Sequence, residues 1–417
     1  MNHNYAITQV AGGICAPLGF KAASVHAGIR MNRSKDDLAL IVSDAPASAA
    51  AVYTQNLVKG APIGVTQANL AATSGIAQAV ICNSGNANTC NADGEQIARG
   101  MCEAAGGSLG IAPESVIVAS TGVIGAPLAL EPIAAKVPEL VAGLSAEASA
   151  STAAAKAIMT TDTLPKEAAV SFELPSAPGV TCHLGAIAKG SGMIHPDLAT
   201  MLVFITTDAA ISPQMLELAL RGDVQGTFNM TSVDGDTSTN DMVSILANGL
   251  AGNPEITSEG ADFEAFMAAL NTVTIALCKM IAGDGEGATK LLECQVSGAL
   301  DETAARTAAK AVICSSLVKT AMFGADANWG RVLCALGYSG AKLDPNAVNV
   351  SFLSPAGVVA VCENGAGIEF NEELAKQILS EDEITIKVDL GDGEAAATAW
   401  GCDLTYEYVK INGDYRT

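Results

Sequence analysis

Thr200 lies within KGSGMIHPDLATMLVFITTDA (residues 189–209), where a basic, glycine-rich loop passes a proline and a small alanine before an apolar, strand-like run. A threonine hydroxyl is a useful nucleophile only when a neighbouring base takes its proton. The usual base is scarce here. Of the four histidines (His3, His26, His183 and His195), only His195 sits in a motif-like stretch, and a loop histidine beside a proline is commonly structural. Scission of the Ala199–Thr200 peptide would create another base. The freed α-amine of Thr200, with an ordinary pKa of about 7.7–8.0, is tethered within reach of its own Oγ. Ala199 is small enough to let the hydroxyl approach its carbonyl, and the KGSG glycines can bend the chain sharply. The competing reading is an ordinary join of loop and strand.

Two further stretches suit acyl chemistry. In VASTGVIG a strand-like run meets Thr121-Gly122, where a glycine turn can present N–H donors to a carbonyl oxygen that becomes negative. A plain strand–turn is the alternative. AGDGEGATK (282–290) lacks the Lys-Ser or Lys-Thr order of a phosphate loop, so Glu286 reads instead as a partner for a substrate ammonium. NSGNAN (83–88) is either a turn stack or the wall of a polar pocket. No pair of His, Cys or carboxylates has metal-ligand spacing, so no metal is expected.

These residues need a frame. Short β-branched runs bounded by turns predict buried strands at 38–44, 50–53, 78–88 and 115–125, and a strand after Thr200. Helical patterns begin near 93 and cover 131–143, 147–158, 261–282 and 301–322, and Ser212-Pro213 marks a helix start. The C-terminal part returns to strands: NVSFL, GVVAVCE, EITIKVDL, EAAATAW and DLTYEYVKI. There is no internal repeat, and a cut or hinge is expected near 185–200.

The chain has 417 residues, 49% hydrophobic and only 16% charged, which makes it core-rich and globular. With 22 Lys and Arg against 44 Asp and Glu, the net charge is −22, which argues against nucleic acid or anionic membrane as partner. Eleven cysteines, an odd number with no C-x-x-C, point to a reducing cytoplasm and not to a disulfide scaffold.

KGSGMIHPDLATMLVFITTDA, STGVIG, MTTDT (159–163), GDGEGATK, ANWGR (327–331) and the terminal YVKINGDYRT together closely resemble the ornithine acetyltransferase family of arginine biosynthesis. The likeness runs from GFKAASVHAGIR to Thr417. It implies self-cleavage between Ala199 and Thr200 into an N-terminal chain, 1–199, and a C-terminal chain, 200–417. Two copies of each would form a heterotetramer. The implied fold is α+β, with helices layered on paired sheets in an αββα-like arrangement. Thr200 would take the acetyl group of N-acetylornithine as an ester and pass it to glutamate, without a resident cofactor. Acetyl-CoA serves some members as donor.

By the same resemblance Thr121 and Gly122 fall on the oxyanion-hole positions. Substrate contacts fall on Thr161, Lys189, Thr200, Glu286, Asn412 and Thr417. Lys189 suits the substrate carboxylate and Glu286 its ammonium. A self-cleaving amidohydrolase or aminopeptidase using the same Thr200 is the nearest rival. A nucleotide-binding or structural protein built around GDGEGATK is the rival from another class.

Overall fold

The structure, a computed structural model, describes residues 5–30, 35–195 and 201–414. Its nine-stranded sheet runs Ile7–Gln9, Lys166–Glu173, Thr181–Lys189, Leu202–Thr207, Met242–Ala247, Leu38–Tyr53, Ile76–Asn86 and Val116–Val123, with Phe20–Val25 also paired to Leu38–Tyr53. The seven-stranded sheet runs Ala366–Gly367, Gly357–Glu363, Asn349–Ser354, Glu383–Asp389, Leu291–Ala299, Ala395–Cys402 and Thr231–Ser232.

Alternation along the larger sheet explains its two coats. Ile41, Val80 and Ile117 pack with Ala154 and Ile158 of the helix Ala148–Ile158. Their chain neighbours Leu40, Ile81 and Val118 pack with Val65, Ile97, Met101 and Ile133 of three other helices. A period of two thus buries both faces. The apolar helix Ala261–Gly283 touches Lys166–Glu173 and Thr181–Lys189 of this sheet and Leu291–Ala299 and Ala395–Cys402 of the other, so it joins the two. It is long and apolar enough to cross a membrane by composition, yet Phe266, Leu270, Leu277 and Ile281 are buried in this core. The result is the expected layered α+β architecture.

Three elements differ from the sequence reading. The runs at 38–44 and 50–53 form one strand, Leu38–Tyr53, whose register against Ile76–Asn86 shifts between Val42 and Ala47, at a proline that cannot donate to the ladder. The stretch 301–322 is two helices, Glu302–Cys314 and Ser316–Phe323. Ser315, with ψ 111°, ends the first, and its side chain caps Val318 N of the second. DLTYEYVKI forms no strand. Thr405 Oγ1 accepts Glu407 N, and the helix Tyr406–Asp414 follows.

Residues on either side of position 199 do not form separate units. Leu202–Thr207 lies antiparallel to Thr181–Lys189 and parallel to Met242–Ala247, which in turn pairs with Leu38–Tyr53. Two strands from beyond Thr200 therefore sit inside a sheet otherwise made by residues before it.

Candidate active site

One cavity of about 320 Å3 gathers Thr121, Gly122, Thr161, Lys189, Glu286 and Asn412 in its lining. Ala199, Thr200 and Thr417 lie outside the described residues. The described strand residues nearest to the first two are held in the sheet. Lys189 opposes Leu202 across the sheet, and Met201 O accepts Met242 N at 2.9 Å.

Thr121 and Gly122 end the strand Val116–Val123. Gly122 has φ 130°, which strains any side chain, and a Cβ there would lie 2.3 Å from the Gly85 carbonyl carbon. The backbone is therefore free to approach both the neighbouring strand and the cavity. Beneath the turn is a buried polar network: Ser120 Oγ donates to Asn83 Oδ1 at 2.6 Å, and Asn240 Nδ2 donates to Ser120 O at 3.0 Å and Ala87 O at 2.5 Å. NSGNAN is thus a polar wall; Ala87 lines the cavity, and Asn83 and Asn86 hold the backbone behind it.

Lys189 is buried at the end of Thr181–Lys189. Close by, Asp162 accepts Lys166 Nζ at 2.7 Å, Gly190 N at 2.7 Å and Thr160 N at 3.0 Å. Burial by itself would raise the Asp162 carboxyl, but the charges of Lys189 and Lys166 and these hydrogen bonds outweigh it and hold it at about 2. Lys166 also reaches Asp284 at 2.5 Å. Asp284 O accepts Ser191 Oγ at 2.7 Å, and Ser191 O accepts Glu286 N at 3.0 Å. One buried chain of charges and hydrogen bonds thus ties together the loops bearing Thr161, Lys189 and Glu286.

Glu286 is buried, and its Oε2 accepts Asn412 Nδ2 at 2.7 Å. Asn412 therefore orients the carboxylate in this structure. The peptide that the KGSG glycines are expected to strain lies outside the described residues; Gly192 has a separate reason to be glycine. A Cβ on Gly192 would fall 2.3 Å from Glu286 Oε1, and the next residue, Met193, is left-handed, with φ 55°. Asp234 fixes that conformation by accepting Met193 N at 2.7 Å and Ile194 N at 2.9 Å.

Asp234, Asn240 and Tyr408 are pocket residues that the sequence reading did not single out. Asp-Gly at 234–235 marked a turn, and Tyr408 and Asn412 stand four apart on one helix face. Tyr408 donates to Asp234 at 3.2 Å; burial first, then that carboxylate, push its phenol up, so it remains a donor. Asp241, beside Asn240, is fully buried with no partner for Oδ2 among the described residues. Burial raises its carboxyl well above the ordinary range, against weaker pulls from Ser238 and Lys189. His195 lies outside the cavity lining, with Nδ1 3.1 Å from Ser232 Oγ. Among the described residues no cluster of His, Cys, Asp or Glu is arranged to hold a metal.

The arrangement offers a turn for an oxyanion, a cation and a carboxylate around one polar cavity, which suits acyl transfer to and from a zwitterionic amino acid. The ArgJ family model matches residues 21–417. The chain belongs to the ArgJ family. It is 53% identical over 410 residues to the arginine biosynthesis bifunctional protein ArgJ of Symbiobacterium thermophilum, covering 98% of this chain and 99% of that one. It is 49% identical over 399 residues to ArgJ 1 of Clostridium acetobutylicum, covering 95% and 96%. A crystal structure of the Bacillus halodurans protein is 44% identical and matches 51% of this chain and 98% of that chain, with a TM-score of 0.48. As an ArgJ member the chain is an acetyltransferase of arginine biosynthesis.

Proposed function

We propose that the chain cuts itself between Ala199 and Thr200 and then carries an acetyl group from N-acetylornithine to glutamate on Thr200. The observation that supports this most is the meeting of Thr121, Gly122, Thr161, Lys189, Glu286 and Asn412 in one cavity. In the cut, Thr200 Oγ attacks the Ala199 carbonyl, the acyl group moves from nitrogen to oxygen, and water hydrolyses the ester. This leaves a carboxylate on Ala199 and a free amine on Thr200. Interleaved strands hold the two pieces together.

In transfer, Thr200 Oγ attacks the acetamide carbon while its own α-amine takes the hydroxyl proton. Backbone N–H groups at Thr121 and Gly122 meet the negative oxygen of the tetrahedral intermediate. The proton then passes to the departing nitrogen of ornithine. Lys189 holds the substrate carboxylate, Glu286 its side-chain ammonium, and Thr161 a hydrogen bond that fixes its orientation. Glutamate then enters, and its amine takes the acetyl group from the ester. Acetyl-CoA is a second donor to the same ester. Thr417 joins the contacts from the chain end. The assembly is two copies of each fragment, and eleven unpaired cysteines suit a reducing cytoplasm.

Intact mass of the denatured protein is the test, repeated after exposure to N-acetylornithine without acceptor. The expected result is two fragments, the second beginning at Thr200 and gaining one acetyl group that glutamate removes. Thr200→Ala should give one uncut chain with no transfer. Fragments in that variant, or ornithine release at the same rate without glutamate, would overturn the reading in favour of another nucleophile or of hydrolysis.

A further inference from the structure

A second cavity, of about 130 Å3, lies behind the substrate pocket and shares Asp234 and Tyr408 with it. Its remaining polar lining is Ser232, Cys314, Ser316 and Lys319. Lys319 is the unusual member, at 4% exposure. Its Nζ donates to Cys402 O at 2.5 Å and approaches Cys402 Sγ at 3.5 Å. No carboxylate pairs with it among the described residues, whereas the other deeply buried lysine of the site, Lys166, has two. A buried ammonium without a counter-charge is costly, and buried charges are ordinarily paired. Asp234 lines the same cavity but forms no ion pair with Lys319; its oxygens accept Met193 N, Ile194 N and the Tyr408 hydroxyl instead.

We propose that this cavity binds a small oxyanion, a phosphate or a carboxylate group, with Lys319 as its counter-charge and the Ser316 hydroxyl as a further donor. The site is separate from the one that takes the acetyl donor. Its occupant is nevertheless felt there, because the helix Tyr406–Asp414 carries Tyr408 in this cavity and Asn412 on Glu286. Leu404, just before that helix, lines the cavity and donates its N–H to Lys319 O at 3.3 Å. Filling the cavity therefore steadies the helix that orients Glu286.

Thermal unfolding of the whole protein, at fixed ionic strength, tests this with sodium phosphate and sodium acetate in separate arms and chloride as reference. The anion that fits should raise Tm by about 2 °C or more at saturation. Lys319→Met should lose that rise, and Lys189→Met should keep it. If Lys319→Met is too unstable to melt cleanly, Lys319→Gln, one atom shorter, keeps an N–H donor while removing the charge. A rise common to wild type and the Lys319 variant is general anion exclusion and overturns the proposal. So does a rise lost only in Lys189→Met, which places the anion in the substrate pocket, and so does no rise with either anion. None of these outcomes depends on whether Thr200 is the nucleophile.

Discussion

Asn240, from the part of the chain beyond the candidate cut, donates from Nδ2 to the carbonyl of Ser120, the residue that precedes the Thr121–Gly122 turn, at 3.0 Å. The same amide nitrogen holds Ala87 O, and its oxygen accepts the Thr89 and Thr239 hydroxyls at 2.6 Å each. The turn assigned to the oxyanion is therefore positioned by a side chain from the other side of position 199.

Asn240→Ala strips two buried carbonyls and two hydroxyls of their partner. A loss of about 1–3 kcal/mol is expected in denaturant unfolding. Because the turn is displaced and the Lys189–Glu286 pair is not, kcat should fall more than KM rises. Equal effects on both would place Asn240 in substrate binding.

Gly122→Ala puts a methyl 2.3 Å from the Gly85 carbonyl carbon at φ 130°. The turn must move, and with it the N–H donors. A fall in kcat of about 10²–10³ is expected, the scale of losing one oxyanion donor. Activity within a factor of two of wild type, in protein that melts normally, would remove this turn from the mechanism.

Gly192→Ala drives a methyl into the Glu286 carboxylate, 2.3 Å from Oε1. Glu286 is then pushed off Asn412. The expected consequence is a rise in KM for N-acetylornithine of about tenfold, or roughly 1.4 kcal/mol of lost binding, with scission at Ala199–Thr200 unaffected. Steady-state kinetics and intact mass on the same preparation separate the two effects.

Asp162 gives a signed pH prediction. Its folded value of about 2 lies below the ordinary 3.8, so its ionised form stabilises the native state above about pH 4. That contribution, about 2 kcal/mol from the size of the shift, is lost as pH falls from 3.8 through 2. Asp162→Asn should be less stable at pH 7, and the gap to wild type should narrow steadily below pH 4. A gap that is constant from pH 7 to pH 2.5 would mean that the Lys166 and Lys189 charges do not act on this carboxyl.

Long apolar segments were legible from sequence because period-two burial leaves an unambiguous pattern, as in QAVICN, while the Ser-Pro pair at 212–213 fixed a helix start. Glu286 and the Thr121–Gly122 turn could be read because glycines isolate them. DLTYEYVKI could not. Its Leu404, Tyr406 and Tyr408 alternate like a strand, but Tyr406 and Val409 are exposed and only Tyr408 faces the pocket. The strand Thr181–Lys189 is obscured by Gly185, which is required because a Cβ there would lie 1.8 Å from Gly13 O. Asn240 and Asp234 become site residues only through pairings with chain more than a hundred, or some forty, positions away. Local spacing carries no trace of such distances.

The placement of Leu202–Thr207 and Met242–Ala247 inside the larger sheet also sets a schedule. Met242–Ala247 must find Leu38–Tyr53, whose residues emerge from synthesis far earlier, and such distant pairings are slow to form. Until they do, the first half of the chain presents two open strand edges, one on either side of a missing pair. A continuous peptide keeps the missing strands at high local concentration while the gap closes. Halves made as separate polypeptides would face the same task as strangers in dilute solution, with unpaired edges prone to stick elsewhere. If the chain is cut at position 199 as proposed, the sheet must be completed first, and only then can that link be dispensed with.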